Sequence, residues 1–201
     1  AGGLCGLLME DQMNLDRFTI KAAEALQAAE RRASSVGHSD LSPLHLLAAL
    51  VADGPGSTKG SDGGVAVPIL EKAGVQVVRV RQMVDSELQR RPRASGGSLV
   101  MSRELREVLD FAEKNAERMK DQYTSTEHLL IALCEVKSDA REVLSLCGAS
   151  KDAILAALRV IRGSTTVTSQ NPEDTYQALE RYGRDLVAAA LQRFGQRQAD
   201  L

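Results

Sequence analysis

Apolar residues recur every three or four positions along most of the chain, which is the spacing of one buried face of an α-helix. One such stripe comprises Phe18, Ala22, Leu26, Ala29, Ala33 and Val36. Another comprises Leu105, Val108, Leu109, Ala112 and Ala116. No segment shows a convincing two-residue alternation, so no β-strand is predicted. The pattern therefore predicts an all-α protein.

The chain also contains an internal repeat. Residues 19–50 align without a gap on residues 102–133, an offset of 83, and eleven of the 32 aligned positions are identical. The match resumes at an offset of 74, where Leu70, Gly74, Val80 and Val84 correspond to Leu144, Gly148, Ile154 and Leu158. The first copy is therefore nine residues longer, and the surplus falls in its glycine-rich stretch 54–64. We interpret this stretch as a surface loop, where extra length costs little.

Capping residues divide each copy into four helices. A hydroxyl side chain at the N-cap accepts an N–H of the first turn, and glycine favours the left-handed position after the last turn. The first helices begin after Thr19 and Ser102, the second after Ser42 and after Ser125 or Thr126, and the third end near Gly74 and Gly148. The fourth helices carry Val77, Val80, Met83, Val84 and Leu88, and Ile154, Leu155, Leu158 and Ile161. We predict two pseudo-symmetric four-helix units in tandem, about 17–91 and 101–163.

Segments outside the repeats differ from them in composition. Residues 1–12 precede a start-like methionine, Met13, and we expect them to form a disordered leader. A polar linker follows Gly163, and the run 171–174 combines an N-cap residue, a proline and two acids. Such a run opens a helix, so we predict one from about Glu173 toward Gln198, within a terminal segment 164–201.

Composition and charge exclude several classes of protein. The 201 residues carry 25 basic and 27 acidic side chains, and a net charge of −2 argues against a general nucleic-acid binder. Three cysteines cannot all pair and show no zinc-site spacing, which fits the reducing cytoplasm. No apolar run approaches the roughly 18 residues of a membrane helix. We therefore expect a cytoplasmic protein without nucleic-acid or membrane partners.

Catalytic and metal-binding motifs are missing from the sequence. No phosphate-binding GxxxxGK[ST] motif occurs, since Lys59, the one lysine in a glycine-rich loop, follows Thr58 rather than glycine. His45 and His128 occupy equivalent positions, but neither has a second metal ligand at i+4. A histidine bonded to the backbone at a helix start is therefore favoured over a metal site. We predict no catalytic residue, metal site or cofactor in this chain.

Two segments of the pattern (Thr/Pro)-x-His-Leu-Leu-x-Ala-Leu occupy residues 43–50 and 126–133. Tandem segments of this kind resemble the Clp amino-terminal domain, here residues 13–163. The runs LDRFTIKAAEAL, YTSTEHLL and EDTYQALERYGRDL are most similar to the ClpB family of disaggregating chaperones, and the likeness extends over about 13–187. In that family the linker leads toward a hexameric AAA+ ATPase, which uses ATP and Mg²⁺ and which this sequence does not include.

The resemblance implies a groove for client polypeptides between the two repeats. Its polar groups fall on Thr19, Asp121 and Glu127, which match the family in residue type. The sequence context of Thr19 favours a plain N-cap, Asp121 could be a loop carboxylate, and Glu127 a first-turn acid that the helix dipole favours. Asn115 and His128 stand where the family often carries apolar residues.

Phe111 is the remaining candidate residue. It stands where the first copy has Ala28, so the repeat does not require an aromatic ring there. Leaving a phenylalanine exposed forgoes roughly 1.5–3 kcal/mol of burial. Two interpretations are open: Phe111 captures apolar client segments, or its ring packs against the other repeat.

The resemblance thus implies a monomeric domain that binds unfolded or aggregated polypeptide and presents it to a ClpB-like ring. The alternative is a free-standing Clp-repeat accessory protein that docks on a Clp ATPase or its adaptors. An enzyme acting alone is disfavoured, because no catalytic constellation is recognisable.

Overall fold

A computed structural model describes residues 15–52, 64–93, 99–163 and 165–172. These ranges contain a short 3₁₀-helix, Leu15–Arg17, and two-residue strands β1, Asp40–Leu41, and β2, Val100–Met101. They also contain eight α-helices: α1 Ile20–Val36, α2 Pro43–Leu50, α3 Ala66–Lys72, α4 Val77–Arg90, α5 Arg103–Met119, α6 Thr126–Glu135, α7 Asp139–Leu146 and α8 Lys151–Arg162. The leader 1–12 and the helix predicted from Glu173 lie outside the described residues.

The prediction of four helices per copy is confirmed, with α1–α4 in the first repeat and α5–α8 in the second. Its local reasons are visible at the helix ends. The Thr19 and Ser102 hydroxyls each accept a first-turn amide at 3.2 Å. After the third helices, Gly74 and Gly148 adopt left-handed φ angles of 80° and 84°. The chain is therefore divided into helices where its capping residues stand.

Two short backbone pairings join the repeats. Phe18, just before the N-cap of α1, pairs in parallel with Thr124, just before the N-cap of α6. Leu41, before the N-cap of α2, pairs in parallel with Met101, before the N-cap of α5. Because Phe18 corresponds to Met101 and Leu41 to Thr124 at the offset of 83, a pseudo-twofold axis exchanges the two pairings.

The strands β1 and β2 differ from the prediction that no strand is present. Each strand has only two residues, and two residues are too few to show an alternating pattern. Their pairing is stabilised from both flanks, since Val100 N–H donates to the Ser39 carbonyl at 3.1 Å and Ser102 N–H donates to the Leu41 carbonyl at 2.9 Å. Thr19 N–H donates to the Thr124 carbonyl at the same distance in the symmetry-related pairing.

The second helix of each repeat lies at the centre of one core that both repeats share. In α6 every residue from Thr126 to Cys134 is buried, and α2 is nearly as enclosed. The amphipathic helices surround these two, and the predicted stripe of α5 from Leu105 to Ala116 is buried throughout. In α1 the stripe is shifted slightly, because Glu30 is buried while Val36 is half-buried. Polar residues at the start of α6 therefore lie inside the protein.

We predict that Gly64→Ala destabilises the fold much more than Gly74→Ala. Both glycines have positive φ, which costs an alanine about 1–2 kcal/mol. A Cβ on Gly64 would also lie 2.5 Å from Thr126 Oγ1, the atom that accepts the Val65 N–H, whereas one on Gly74 meets nothing within 4 Å. Urea unfolding followed by circular dichroism should show an extra loss of about 2 kcal/mol or more for Gly64→Ala. Equal losses would contradict the close contact with Thr126.

Candidate functional site

The duplicated histidines close the N-terminal turns of the two central helices. Ser42 N–H donates to His45 Nδ1 at 3.1 Å, and Ser125 N–H donates to His128 Nδ1 at 3.0 Å. Each serine side chain in turn satisfies a helix N–H, which completes a capping box. Because Nδ1 accepts a backbone proton, the neutral imidazole carries its own proton on Nε2. The predicted interpretation of a backbone-bonded histidine is confirmed for both.

The Nε2 atoms of these histidines have different partners in the two repeats. His45 Nε2 lies 2.8 Å from His38 Nδ1, whereas His128 Nε2 lies 3.0 Å from Asp121 Oδ2. His38 and Asp121 correspond to each other at the offset of 83. The Nε2–H group is thus hydrogen-bonded to a neutral ring in the first repeat and to a carboxylate in the second, at equivalent positions.

Charged residues surround His128 and form what we call the Asp121 cluster: Asp121, Glu127, His128 and Arg162. Arg162 Nη2 donates to Asp121 Oδ1, and Arg162 Nη1 lies 3.6 Å from Glu127 Oε1. All four side chains are buried. Internal alignment places Leu44 at the position of Glu127 and Leu88 at that of Arg162. The cluster is therefore peculiar to the second repeat.

Burial and hydrogen bonding act in opposite directions on the Asp121 carboxyl. Burial raises its pKa, but hydrogen bonds from His128, Arg162 and the Val167 N–H outweigh that effect and lower the pKa to about 2. In the first repeat burial lowers the pKa of His45 to about 4, and the neighbouring His38 acts in the same direction. At neutral pH the second repeat therefore holds an ionised carboxylate where the first holds neutral rings.

Glu127 is the member of the cluster whose bonding is incomplete. Its side chain is fully buried on the first turn of α6. Neither carboxylate oxygen has a hydrogen-bond partner in the described part of the chain, although Arg162 supplies a positive charge nearby. A buried carboxylate in this state can accept hydrogen bonds from a bound donor.

The structure brings some of the predicted site residues together and not others. Asp121, Glu127 and His128 are in one cluster, and Thr19 lies close to it through its backbone bond to Thr124. Phe111 is half-buried against the core on α5.

Asn115, one turn further along α5, is half-buried, and its amide Nδ2 has no hydrogen-bond partner among the described residues. No hydrogen bond or ion pair within the described ranges joins Phe111 or Asn115 to the Asp121 cluster. These two residues therefore stay separate candidates for an apolar contact.

Arg162 and Val167 were missed by the sequence interpretation. Arg162 aligns with Leu88, so the internal repeat contained a signal, namely a basic residue at a position that is apolar in the other copy. Val167 gave no comparable signal, because it lies in a polar stretch after the last repeat helix.

Known proteins share both the sequence and the fold of this chain. The family model of the Clp repeat (R) N-terminal domain matches residues 17–147. The chain belongs to the Clp repeat N-terminal domain family. Its relatives include the chaperone protein ClpB of Rhodopirellula baltica, 39% identical over 177 residues, and that of Bacillus cereus, 38% identical over 181 residues. Both alignments cover 88% of this chain but only 19% and 20% of the relatives, so the chain spans about a fifth of their length.

Solved structures of other Clp N-domains have the same all-α fold. The Hsp104 N-terminal domain from Candida albicans matches 78% of this chain and 98% of its own length, with a TM-score of 0.63 and 23% identity. The N-domain of ClpV from Vibrio cholerae matches 77% of this chain and 89% of its own, with a TM-score of 0.59 and 17% identity. At these identities the likeness concerns the fold alone.

A Clp repeat domain by itself is not catalytic. Across the described ranges, no three His, Cys, Asp or Glu side chains gather in a way that could hold a metal ion. Burial raises the pKa of Cys134 to about 12, which leaves that thiol protonated and unreactive. None of the described helices has the length and apolarity needed to cross a bilayer.

We predict that His45 makes the fold sensitive to mild acid. Its pKa of about 4 lies below the ordinary 6.5, so the unfolded chain binds the proton first as the pH falls. The free energy of unfolding should therefore be highest above pH 6.5 and decrease by about 3 kcal/mol between pH 6.5 and 4 on account of this residue.

His45→Gln should flatten this pH dependence, because glutamine keeps an acceptor for the Ser42 N–H but does not titrate. Urea unfolding at several pH values above 4, where Asp121 stays ionised, measures the slope. The same slope in both proteins would show that His45 is not the group responsible.

We also predict that removing one charge of the Asp121 cluster strongly destabilises the fold, whereas replacing its charged residues together does not. Arg162→Leu leaves two buried carboxylates without their cation and should lower the free energy of unfolding by about 3–5 kcal/mol. The triple variant Asp121→His/Glu127→Leu/Arg162→Leu installs the residues that the first repeat carries at these positions. It should recover most of the loss in a denaturant titration. A triple variant as unstable as the single one would mean that the two repeats are not interchangeable here.

Proposed function

We propose that this chain is the substrate-recognition domain of a ClpB-like, ATP-dependent disaggregating chaperone of the cytoplasm. In this proposal the domain, monomeric in isolation, binds unfolded or aggregated polypeptide and presents it to the AAA+ ring of the parent protein. ATP hydrolysis with Mg²⁺ belongs to that ring. Membership of the Clp repeat family and relatives that are ClpB chaperones support the proposal.

The observation that carries this proposal is the difference between the two repeats at the positions of Glu127 and Arg162. Leucines at the positions of Glu127 and Arg162 suffice to build the first repeat. Burying charges is expensive, and apolar residues of similar volume are often at least as stabilising. The charged cluster of the second repeat therefore has a reason other than folding. Recognition of the N–H groups and basic side chains of a polypeptide supplies that reason, because carboxylates accept from both.

Apolar contact is assigned to Phe111 on α5. Its ring is half-buried, so part of its surface is available to a client side chain. Asn115 lies one helical turn away on the same flank, and its amide Nδ2 is buried without a hydrogen-bond partner among the described residues. Phe111 and Asn115 thus supply a limited half-buried contact area, while Thr19 and the Asp121 cluster supply acceptors that are buried. Such a combination favours weak, sequence-tolerant binding.

The triple variant Asp121→His/Glu127→Leu/Arg162→Leu tests the recognition role, since it should keep the fold. Reduced, carboxymethylated α-lactalbumin labelled with fluorescein serves as the unfolded client, and fluorescence anisotropy measures its affinity. We expect binding at least about tenfold weaker than that of the wild type, the effect of one lost charged hydrogen bond. Full client binding by a folded triple variant would contradict the proposal.

Phe111→Ser tests the apolar contact in the same assay. We expect a loss of about fivefold in affinity, because roughly 1 kcal/mol of additional burial is removed, with helicity unchanged. Val78→Ser is the matched control, since Val78 lies on α4 of the other repeat and is 63% exposed. Equal effects of the two substitutions would assign client binding to general surface hydrophobicity instead of Phe111.

A further inference from the structure

The residues that follow α8 are hydrogen-bonded to the Asp121 cluster. We call residues 165–170 the strap. Val167 N–H donates to Asp121 Oδ1 at 2.7 Å, and Gln122 N–H donates to the Val167 carbonyl at 2.9 Å. Further along, Ile20 N–H donates to the Gln170 carbonyl at 3.0 Å, which ties the strap to the first repeat. The strap is thus bound mainly through its backbone.

One side chain of the strap enters the protein while its neighbours do not. Val167 is fully buried, whereas Thr166 and Thr168 on either side are exposed. Val167 is thus the one buried side chain among residues 165–170. Backbone bonds combined with a pocket for one side chain are the features of peptide recognition by strand addition.

The first repeat binds an extended segment at the equivalent place. Arg93 pairs in antiparallel fashion with His38, and these residues correspond to Val167 and Asp121 by the internal alignment. The sequence of residues 91–93 is Arg-Pro-Arg, whereas that of residues 165–167 is Thr-Thr-Val, and the side chain of Arg93 is exposed. The backbone contact therefore tolerates unrelated sequences, and only the second repeat adds a buried apolar side chain.

Glu127 shows that the strap is an incomplete ligand. The strap engages Asp121 directly and Arg162 through the Thr165 carbonyl. With the strap in place, both Glu127 oxygens still lack a hydrogen bond among the described residues, although the side chain is fully buried. An unsatisfied buried acceptor costs free energy that a better ligand can recover by donating to it.

We propose that the strap is an intramolecular ligand of the recognition site and that client polypeptides bind by taking its place. This inference rests on the proposed function and specifies the client. The client segment is extended, donates an N–H to Asp121, inserts an apolar side chain of valine size, and carries a basic or N–H donor that reaches Glu127. Because the strap is tethered, its effective concentration is of the order of millimolar, so clients bind weakly and reversibly.

Hydrogen exchange on the wild-type chain tests the displacement without any substitution. Saturating carboxymethylated α-lactalbumin should speed exchange of the Val167 amide at least tenfold, since that N–H loses Asp121. The Gln122 amide should stay protected, because the client carbonyl replaces that of Val167. The amides of Leu129 and Leu130 in α6 are internal references. An unchanged Val167 amide at saturation would overturn the proposal and make the strap a permanent part of the fold.

Val167→Asp releases the strap and allows the site to be probed with the strap's own sequence. A fluorescein-labelled peptide TTVTSQ, residues 165–170, should bind this variant at least tenfold more tightly than the wild type, and TTDTSQ should not bind. Thr168→Asp places the same charge on an exposed neighbour and should leave the chain like the wild type. A folded Val167→Asp chain that binds TTVTSQ no better than the wild type would overturn the proposal. If Val167→Asp does not fold, the hydrogen-exchange measurement on the wild-type chain tests whether clients displace the strap.

The two experiments separate this inference from the proposed function. Binding of TTVTSQ to Val167→Asp, with no binding of unfolded client to any variant, would support the peptide site and contradict the chaperone role. Client binding that leaves the exchange rate of the Val167 amide unchanged would support the chaperone role and contradict displacement of the strap.

Discussion

Each repeat places the N-terminus of its second helix inside the shared core, where its first-turn N–H groups cannot reach water. Unpaired buried donors of this kind are costly, so the turn must be closed by side chains. A serine and a histidine close it in both repeats, and the histidine Nδ1 accepts the N–H of the serine. The remaining imidazole proton then needs an acceptor seven residues upstream, and the identity of that acceptor distinguishes the two halves of the molecule.

In the first repeat the acceptor is His38, and leucines stand at the positions of Glu127 and Arg162. In the second it is Asp121, whose charge requires Arg162, and Arg162 in turn lies beside Glu127. One change of acceptor is thus accompanied by a chain of buried charges. Duplication makes such a change tolerable, because both copies contribute to one core and the first does not depend on the charges of the second.

Helices and their ends could be predicted from the sequence because capping is local: Thr19, Ser102, Gly74 and Gly148 act within one turn of where they stand. The contacts that assemble the site are not local. Phe18 meets Thr124, and Arg162 meets Asp121, through pairings that involve single residues and leave no periodic signal. Internal alignment was the one source of such information, and comparing unlike residues at equivalent positions would have identified Arg162.

A recognition domain that delivers its client must also release it, which limits how tightly it binds. Backbone hydrogen bonds give little preference among sequences, as the unlike segments bound past His38 and Asp121 show. A tethered competitor lowers the apparent affinity for every client by the same factor, without altering the contacts that a client makes. In the proposed displacement the strap therefore separates the strength of binding from its selectivity: its tether sets the strength, while the buried position of the Val167 side chain and the Glu127 carboxylate set the preference.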